Sequence, residues 1–155
     1  ILITHNHSDH LMGLKEVKKS TGAPVGVHSE DAGALGEPPD FLVEDGDIIL
    51  TGNVELRAIH TPCHTPGSMC YITGRHLFSG DTLFPGGPGR SSSPETLQQT
   101  IKSITEKLYV LPDETDVLPG HGVGTNVGVS KSEYHVFAKK SHPVDLHGDV
   151  LWMES

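Results

Sequence analysis

The stretch "ILITHNHSDHLMG" (residues 1–13) places three histidines and an aspartate within six residues, directly after a short apolar run. His5 and His7 alternate along the chain, so in an extended segment both imidazoles point the same way and suit one metal ion. Asp9 and His10 follow at the expected start of a helix, from which they would reach a second ion nearby. The alternative is a His-rich surface loop. The hexapeptide "HNHSDH" therefore predicts metal binding.

Length, composition and charge exclude several classes of protein. The chain has 155 residues, enough for one domain with a real core, and a formal net charge of −9. That charge argues against a nucleic-acid partner, since such proteins carry a basic footprint. No stretch is long and apolar enough to cross a bilayer. Cys63 and Cys70 make no disulfide framework, so we expect a reduced, cytoplasmic compartment.

The first half of the chain predicts strands with one short helix. Residues 1–4 read as a buried strand, and a helix containing Leu14 and Val17 should end at Gly22. Residues 23–29 read as a second buried strand, and this strand–helix–strand order favours an α/β fold. Alternating apolar residues over 41–61 predict a meander of short strands.

The second half adds a hairpin, a helix and a last strand. The segment "SMCYITGRHLFSGD" (residues 68–81) predicts a hairpin that turns at Gly74. Ser93 should cap a helix that has Pro94 at its first position. The segment "ETDVLPGHG" (residues 114–122) predicts a short strand running into a Gly-rich loop. The tail from 131 is polar, with a terminal strand expected over 150–153.

Single polar residues follow the predicted strands. His64 lies on the turn "HTPGS", Asp81 follows "HLFSG", and His121 stands between glycines in "PGHG". Each is ambiguous alone, because a loop histidine or a turn aspartate is usually structural, and His60 competes with His64. Cys63 is expected to be a small packed residue rather than a reactive thiol. Loops at strand ends, however, are where a rigid sheet usually holds chemistry.

Taken together, "HNHSDH", "HTPGS", "SGDTLF" and "PGHG" resemble the motifs of the metallo-β-lactamase superfamily, over nearly the whole chain to about Thr125. "GDTLF" followed by "GGPGR" is most similar to the glyoxalase II (hydroxyacylglutathione hydrolase) branch. The resemblance implies an α/β fold, the αβ/βα sandwich, in a single domain over 1–155, with 131–155 as a candidate C-terminal extension. Family members place strands before the first motif, so we expect an N-terminally truncated fold.

The resemblance also implies two metal sites that share one carboxylate. The first ligand set is His5, His7 and His64, the second is Asp9, His10 and His121, and Asp81 bridges both. We expect two divalent ions, Zn²⁺ before Fe or Mn, since the donors are nitrogen and oxygen without thiolate.

The implied activity is that of a dinuclear metallo-hydrolase. A bridging hydroxide would attack a small-molecule thioester of hydroxyacyl-thiol type, or a related ester or lactone. Asp9 and Asp81 are the expected catalytic carboxylates, and Arg90 in "GGPGR" is the expected substrate-binding residue, the alternative being a loop arginine near the following helix. The branch carries a tyrosine beside the last histidine that "PGHGVG" lacks, which argues against glutathione specificity.

Two other functions stay open. A mononuclear iron persulfide dioxygenase of the same superfamily would use His5, His64 and Asp81 as ligands. A non-catalytic metal-binding fragment would keep metal affinity without a substrate pocket. We expect no nucleic-acid partner and no membrane association, and we expect self-association through the face left by the missing strands.

Overall fold

The computed structural model describes all residues of the chain, 1–155. Four α-helices occur in it: α1 (Ser8–Leu11), α2 (Leu14–Thr21), α3 (Pro94–Ser103) and α4 (Val127–Phe137). A 3-10 helix spans Ser29–Leu35, and a π-helical turn over Ile104–Leu108 continues α3. The ten strands are β1 (Gly26–Val27), β2 (Phe41–Leu42), β3 (Ile48–Thr51), β4 (Val54–His60), β5 (Met69–Thr73), β6 (His76–Gly80), β7 (Leu83–Phe84), β8 (Gly87–Pro88), β9 (Asp116–Pro119) and β10 (Thr125–Asn126). None of the helices has the length and apolar character that a bilayer crossing requires.

A six-stranded sheet with the order β10-β9-β6-β5-β4-β3 forms the centre of the fold. All its neighbours are antiparallel except β6 and β9, which run parallel. Strands β4, β6 and β9 therefore point in one direction, and their carboxyl ends meet at the same edge. The meander and the hairpin turning at Gly74 (φ 53°) are confirmed, except that β2 pairs with β1 rather than with β3.

The N-terminal run is more irregular than the predicted strand. It forms a single parallel bridge, Leu2 to Gly26, beside the two-residue strand β1. Two backbone hydrogen bonds hold it there, from Ile3 N–H to the Gly26 carbonyl at 2.9 Å and from Gly26 N–H to the Ile1 carbonyl at 2.8 Å. The run ends in a bend at Thr4, directly before His5. The helix stop at Gly22 (φ 66°) is as predicted.

Alternation along the sheet separates two apolar layers. Ile59 and Cys70 face a core of 13 buried residues under α3 and α4, whereas Ala58 and Tyr71 face a smaller cluster below β1 and β2. Ser93 caps α3 as predicted, with its side chain accepting a hydrogen bond from the Thr96 N–H at 3.2 Å. The face towards α3 and α4 is therefore covered, whereas the other face is covered only in part, since Phe78 and Leu118 on it are 41% and 38% exposed.

The terminal strand predicted over 150–153 does not form. The chain is irregular at 150–151 and turns over 152–154, and the polar tail contains most of the helix α4. Trp152 is fully buried, with its ring 4.7 Å from that of Phe137 and 5.2 Å from that of Tyr134. Burial of these aromatic rings against the core overrides the weak local preferences of the tail.

Candidate metal centre

The centre forms at the edge where β4, β6 and β9 end. His64 follows β4, Asp81 follows β6 directly, and His121 follows β9. A hydrogen bond of 2.8 Å from Gly120 N–H to the Gly80 carbonyl joins the last two ends. Met69 N–H donates to the Thr4 carbonyl at 2.7 Å and brings the N-terminal motif to the same edge. The backbone of the sheet therefore sets where the ligand-bearing loops lie.

All seven side chains predicted as metal ligands converge here. Three groups have donor atoms within 4.8 Å of one another: His5, His7 and His64; His5, His10 and Asp81; and Asp9, His10 and His121. The first and third groups have the membership expected from the sequence. Coordination of an ion by them stays a prediction.

Asp81 lies between the groups. Its carboxylate oxygens are 3.5–3.8 Å from Nε2 of four imidazoles, those of His5, His10, His64 and His121. Asp9 lies on the other side, 3.1 Å from Nε2 of His121. One carboxylate facing imidazoles of both groups is the arrangement that a bridging ligand needs.

Burial differs sharply across the centre. His5 is 1% exposed and the Asp81 side chain 11%, whereas the side chains of Asp9 and His121 are 53% and 55% exposed. His5 and Asp81 are therefore enclosed by protein, whereas Asp9 and His121 are open to solvent, as is His7 of the first group. Solvent reaches the centre at Asp9 and His121.

The ring nitrogens of His5 and His64 that face the centre are available as ligands. Burial, followed by the nearby imidazoles of His10, His64 and His7, lowers the pKa of His5 to about 3, so its ring is neutral at pH 7. His64 Nδ1 lies 3.1 Å from the Arg90 carbonyl, which only accepts hydrogen bonds. Nδ1 therefore carries the proton, and Nε2 is left for a metal ion.

Asp9 is suited to bind a cation. Partial desolvation raises the pKa of its carboxyl, but the hydrogen bond from its own backbone N–H and the charges of His10 and His121 outweigh it, and the net shift is downward. The carboxylate form is therefore the one presented to the centre at neutral pH.

Two observations show that the residues fit metal ions. His5 Nε2 and Asp81 Oδ1 are buried polar atoms without a hydrogen-bond partner among the protein atoms, and an ion between them would supply one. Gly120 leaves room that a side chain would fill, because a Cβ there would lie 2.6 Å from His10 Cε1. Five imidazoles and two carboxylates are a donor set that suits Zn²⁺ and also iron or manganese.

A cavity of about 320 Å³ adjoins the centre. His64 and Asp81 form its inner wall, and Arg90, Asp149 and Leu151 are among its other lining residues. Arg90 Nη1 lies 3.3 Å from the Asp149 carboxylate, and both side chains are largely exposed. The structure thus places Arg90 beside the centre, paired with the C-terminal segment, while its role in binding substrate stays a prediction.

The competing histidine and cysteine have structural contacts. His60 Nε2 is 2.9 Å from the Pro66 carbonyl, and its ring stacks on His28 at 4.0 Å, so it supports the turn that carries His64. Cys63 donates to the Thr61 carbonyl at 2.9 Å, and burial raises the pKa of its thiol. Both findings agree with packed rather than reactive side chains.

Sequence reasoning missed Asp31, a buried carboxyl group in the 3-10 helix. It contacts the segment of His5 and His7 and the turn after His64. An aspartate in the segment "HSEDAG" carries no motif, and only its position two residues after the Ser29 start of a short helix could have drawn notice.

Comparisons with known proteins indicate one family. The family model described as Metallo-beta-lactamase superfamily matches residues 1–121. The "Probable metallo-hydrolase YqgX" of Bacillus subtilis is 36% identical over 147 residues, covering 82% of this chain and 70% of that protein. A "Hydroxyacylglutathione hydrolase" of Cereibacter sphaeroides is 37% identical over 125 residues, which are 78% of this chain but 47% of that protein. The crystal structure of ETHE1 from Myxococcus xanthus superposes with a TM-score of 0.78 at 30% identity, covering 90% of this chain and 63% of that one.

Proposed function

The chain belongs to the metallo-β-lactamase superfamily, and we propose that it is a dinuclear metal-dependent hydrolase that cleaves a small-molecule thioester of hydroxyacyl-thiol type or a related ester or lactone. One observation carries the proposal: two ligand groups, each with histidines, lie on either side of the single carboxylate of Asp81. Such a pair of neighbouring sites is what a two-metal hydrolase requires.

Each side chain has a role in this proposal. His5, His7 and His64 would hold the first ion, and Asp9, His10 and His121 the second, with Asp81 shared. We propose Zn²⁺ for both, because imidazole and carboxylate donors suit it. When bound, two divalent ions lower the pKa of a shared water towards neutrality and polarise the substrate carbonyl.

The remaining chemistry lies with this chain's own side chains. Asp9 is half exposed beside His121, so its free oxygen can accept a hydrogen bond from the attacking water and orient it. Arg90 lies at the adjoining cavity, where its guanidinium can bind a carboxylate or carbonyl oxygen of the substrate. Asp149 competes for the same guanidinium, so substrate binding would exchange one partner for another.

The thioester substrate rests on likeness as well as on chemistry. The relative named as a hydroxyacylglutathione hydrolase is 37% identical to this chain, over 47% of the relative's length. A thioester carbonyl needs polarisation rather than leaving-group protonation, and two neighbouring cation sites would supply it.

The test is elemental analysis of purified protein together with an activity assay. We expect about two equivalents of zinc and cleavage of a hydroxyacyl thioester in the wild type. Asp81→Ala should lose most of the metal, and His7→Ala should lose about one equivalent. His135→Ala is the matched control, because His135 is an exposed histidine of α4 away from the centre. A wild type without stoichiometric transition metal, or Asp81→Ala with as much metal as the wild type, would refute the dinuclear proposal.

A mononuclear iron persulfide dioxygenase is the second candidate. Nε2 of His5 and Nε2 of His64 lie 3.8 and 3.6 Å from the same oxygen of Asp81, which gives two histidines and one carboxylate around one point. Two histidines with one carboxylate are typical of non-haem iron sites that use oxygen. One equivalent of iron with oxygen uptake on a persulfide would support this candidate, and metal binding without any turnover would support a non-catalytic fragment.

A further inference from the structure

Asp31 is a buried carboxyl group that is not itself in the metal centre. It is 1% exposed and lies in the 3-10 helix Ser29–Leu35, where it makes three hydrogen bonds to two different segments. Its side chain accepts from Thr65 Oγ1 at 2.5 Å, from the Gly67 N–H at 3.0 Å and from Asn6 Nδ2 at 3.2 Å. The carboxylate of Asp31 therefore accepts these hydrogen bonds from two loops and not from its own helix.

Both of those segments carry ligands of the first site. Asn6 stands between His5 and His7, so its side chain points away from the centre when theirs point towards it. Thr65 directly follows His64 on the turn "HTPGS". One carboxyl group therefore connects the two loops that together supply all three imidazoles of that site.

The turn is shaped around this carboxyl group. Thr65 N–H donates to Ser68 Oγ at 2.9 Å, and Ser68 N–H donates to the Thr65 carbonyl at 3.2 Å, which closes the turn. A Cβ on Gly67 would lie 2.6 Å from Asp31 Cγ, closer than real side chains come. Only glycine at this position permits the approach, so the contact is built into the local sequence.

We propose that Asp31 is a positioning residue for the first metal site, setting the distance between the His5–His7 segment and the His64 turn. This inference rests on the proposed function, because it assumes that these histidines bind an ion. The second group contains Asp9, His10 and His121, and no hydrogen bond joins Asp31 to any of them. Loss of Asp31 should therefore weaken one site and spare the other.

The experiment measures Co²⁺ binding to metal-free protein by visible absorption, with each site isolated. His121→Ala serves as a background in which the second site is disabled, and His7→Ala as one in which the first is disabled. Adding Asp31→Ala should lower the Co²⁺ affinity at least tenfold in the His121→Ala background, the scale seen for residues that support metal ligands. It should change the affinity less than about twofold in the His7→Ala background.

A graded series separates positioning from general destabilisation. Asp31→Asn and Thr65→Val each lose part of the hydrogen bonding and should have intermediate affinities, whereas Thr65→Ser keeps the hydroxyl and should restore the wild-type value. Asp40→Asn is the control, because Asp40 also ties a helix to a loop but bonds Lys18 and Val25, away from the ligand segments.

The outcomes distinguish the two proposals. Equal loss of affinity in both backgrounds, or no rescue by Thr65→Ser, would overturn the positioning role while the dinuclear proposal stands. Two equivalents of Co²⁺ bound with unchanged affinity in Asp31→Ala would do the same. A wild type that binds no Co²⁺ would overturn both.

Discussion

Removing the imidazole of His5 should flatten the acid sensitivity of the metal-free protein. This side chain is 1% exposed, and its pKa is lowered from 6.5 to about 3 in the folded state, first by burial and then by neighbouring imidazoles. In the unfolded chain His5 therefore binds a proton below pH 6.5, whereas in the folded chain it binds one only when the pH approaches 3. The contribution of neutral His5 to the free energy of unfolding is complete above pH 6.5 and is lost as the pH falls towards 3.

The size of the effect follows from the shift. A pH of about 5 lies about 1.5 units below the pKa of a histidine in the unfolded chain. Protonation of His5 in the unfolded state should therefore lower the free energy of unfolding by about 2 kcal/mol at pH 5 relative to pH 8. His5→Gln keeps a polar side chain of similar length but has no titrating group. The difference in unfolding free energy between pH 8 and pH 5 should therefore be about 2 kcal/mol smaller in the variant than in the wild type.

Urea unfolding in the presence of a chelator measures this difference at the two pH values. His135→Gln is the control, since this histidine is exposed on α4, and its profile should parallel that of the wild type. If His5→Gln also parallels the wild type between pH 8 and pH 5, then the buried imidazole is not held neutral and the argument for a free Nε2 fails.

The other predictions concern the tail, the centre and a surface carboxylate. Trp152→Ala should lower the free energy of unfolding by about 3 kcal/mol, because the ring is fully buried in the larger core, and a loss below about 1 kcal/mol in urea unfolding would contradict the packing. Gly120→Ala should reduce metal content measured by elemental analysis, since a Cβ there would press on His10, whereas Gly13→Ala, where a Cβ meets nothing, should retain the wild-type content. Asp40→Asn should lower the melting temperature more at pH 7 than near pH 3, because hydrogen bonds, the strongest from a lysine of α2, lower the pKa of Asp40 and stabilise the fold only above it.

The fold, and the convergence of the seven side chains at one edge of the sheet, could be predicted from the sequence because their signals are local. "HNHSDH" follows an apolar run, and His64, Asp81 and His121 each stand just past a strand, so short-range patterns identify them. The metallo-β-lactamase fold inferred from these motifs is confirmed by the comparisons. The hairpin at Gly74 and the cap at Ser93 are likewise determined by neighbours in sequence.

The parts that sequence could not supply depend on distant contacts. Trp152 belongs to the core only because α4 brings the rings of Tyr134 and Phe137 to it, and "DVLWMES" taken alone suggests a strand instead. Asp31 is separated by 34 residues from the threonine hydroxyl it binds, and no spacing rule connects them. Arg90 was identified by its motif, but its partner Asp149 lies 59 residues away on the folded-back tail.

The side chains of the centre differ in burial, since His5 is buried and Asp9 and His121 are exposed, and this difference bears on how the centre would work. His5 is buried and His64 is hydrogen-bonded to the Arg90 carbonyl, so moving these two side chains would break existing contacts. Asp9 and His121 are more than half exposed, and can change partners without that penalty. Catalytic groups that must stay fixed gain from burial, because preorganised donors need not rearrange as charge develops. Substitutions of Asp9 or His121 should therefore alter turnover before they alter the stability of the fold.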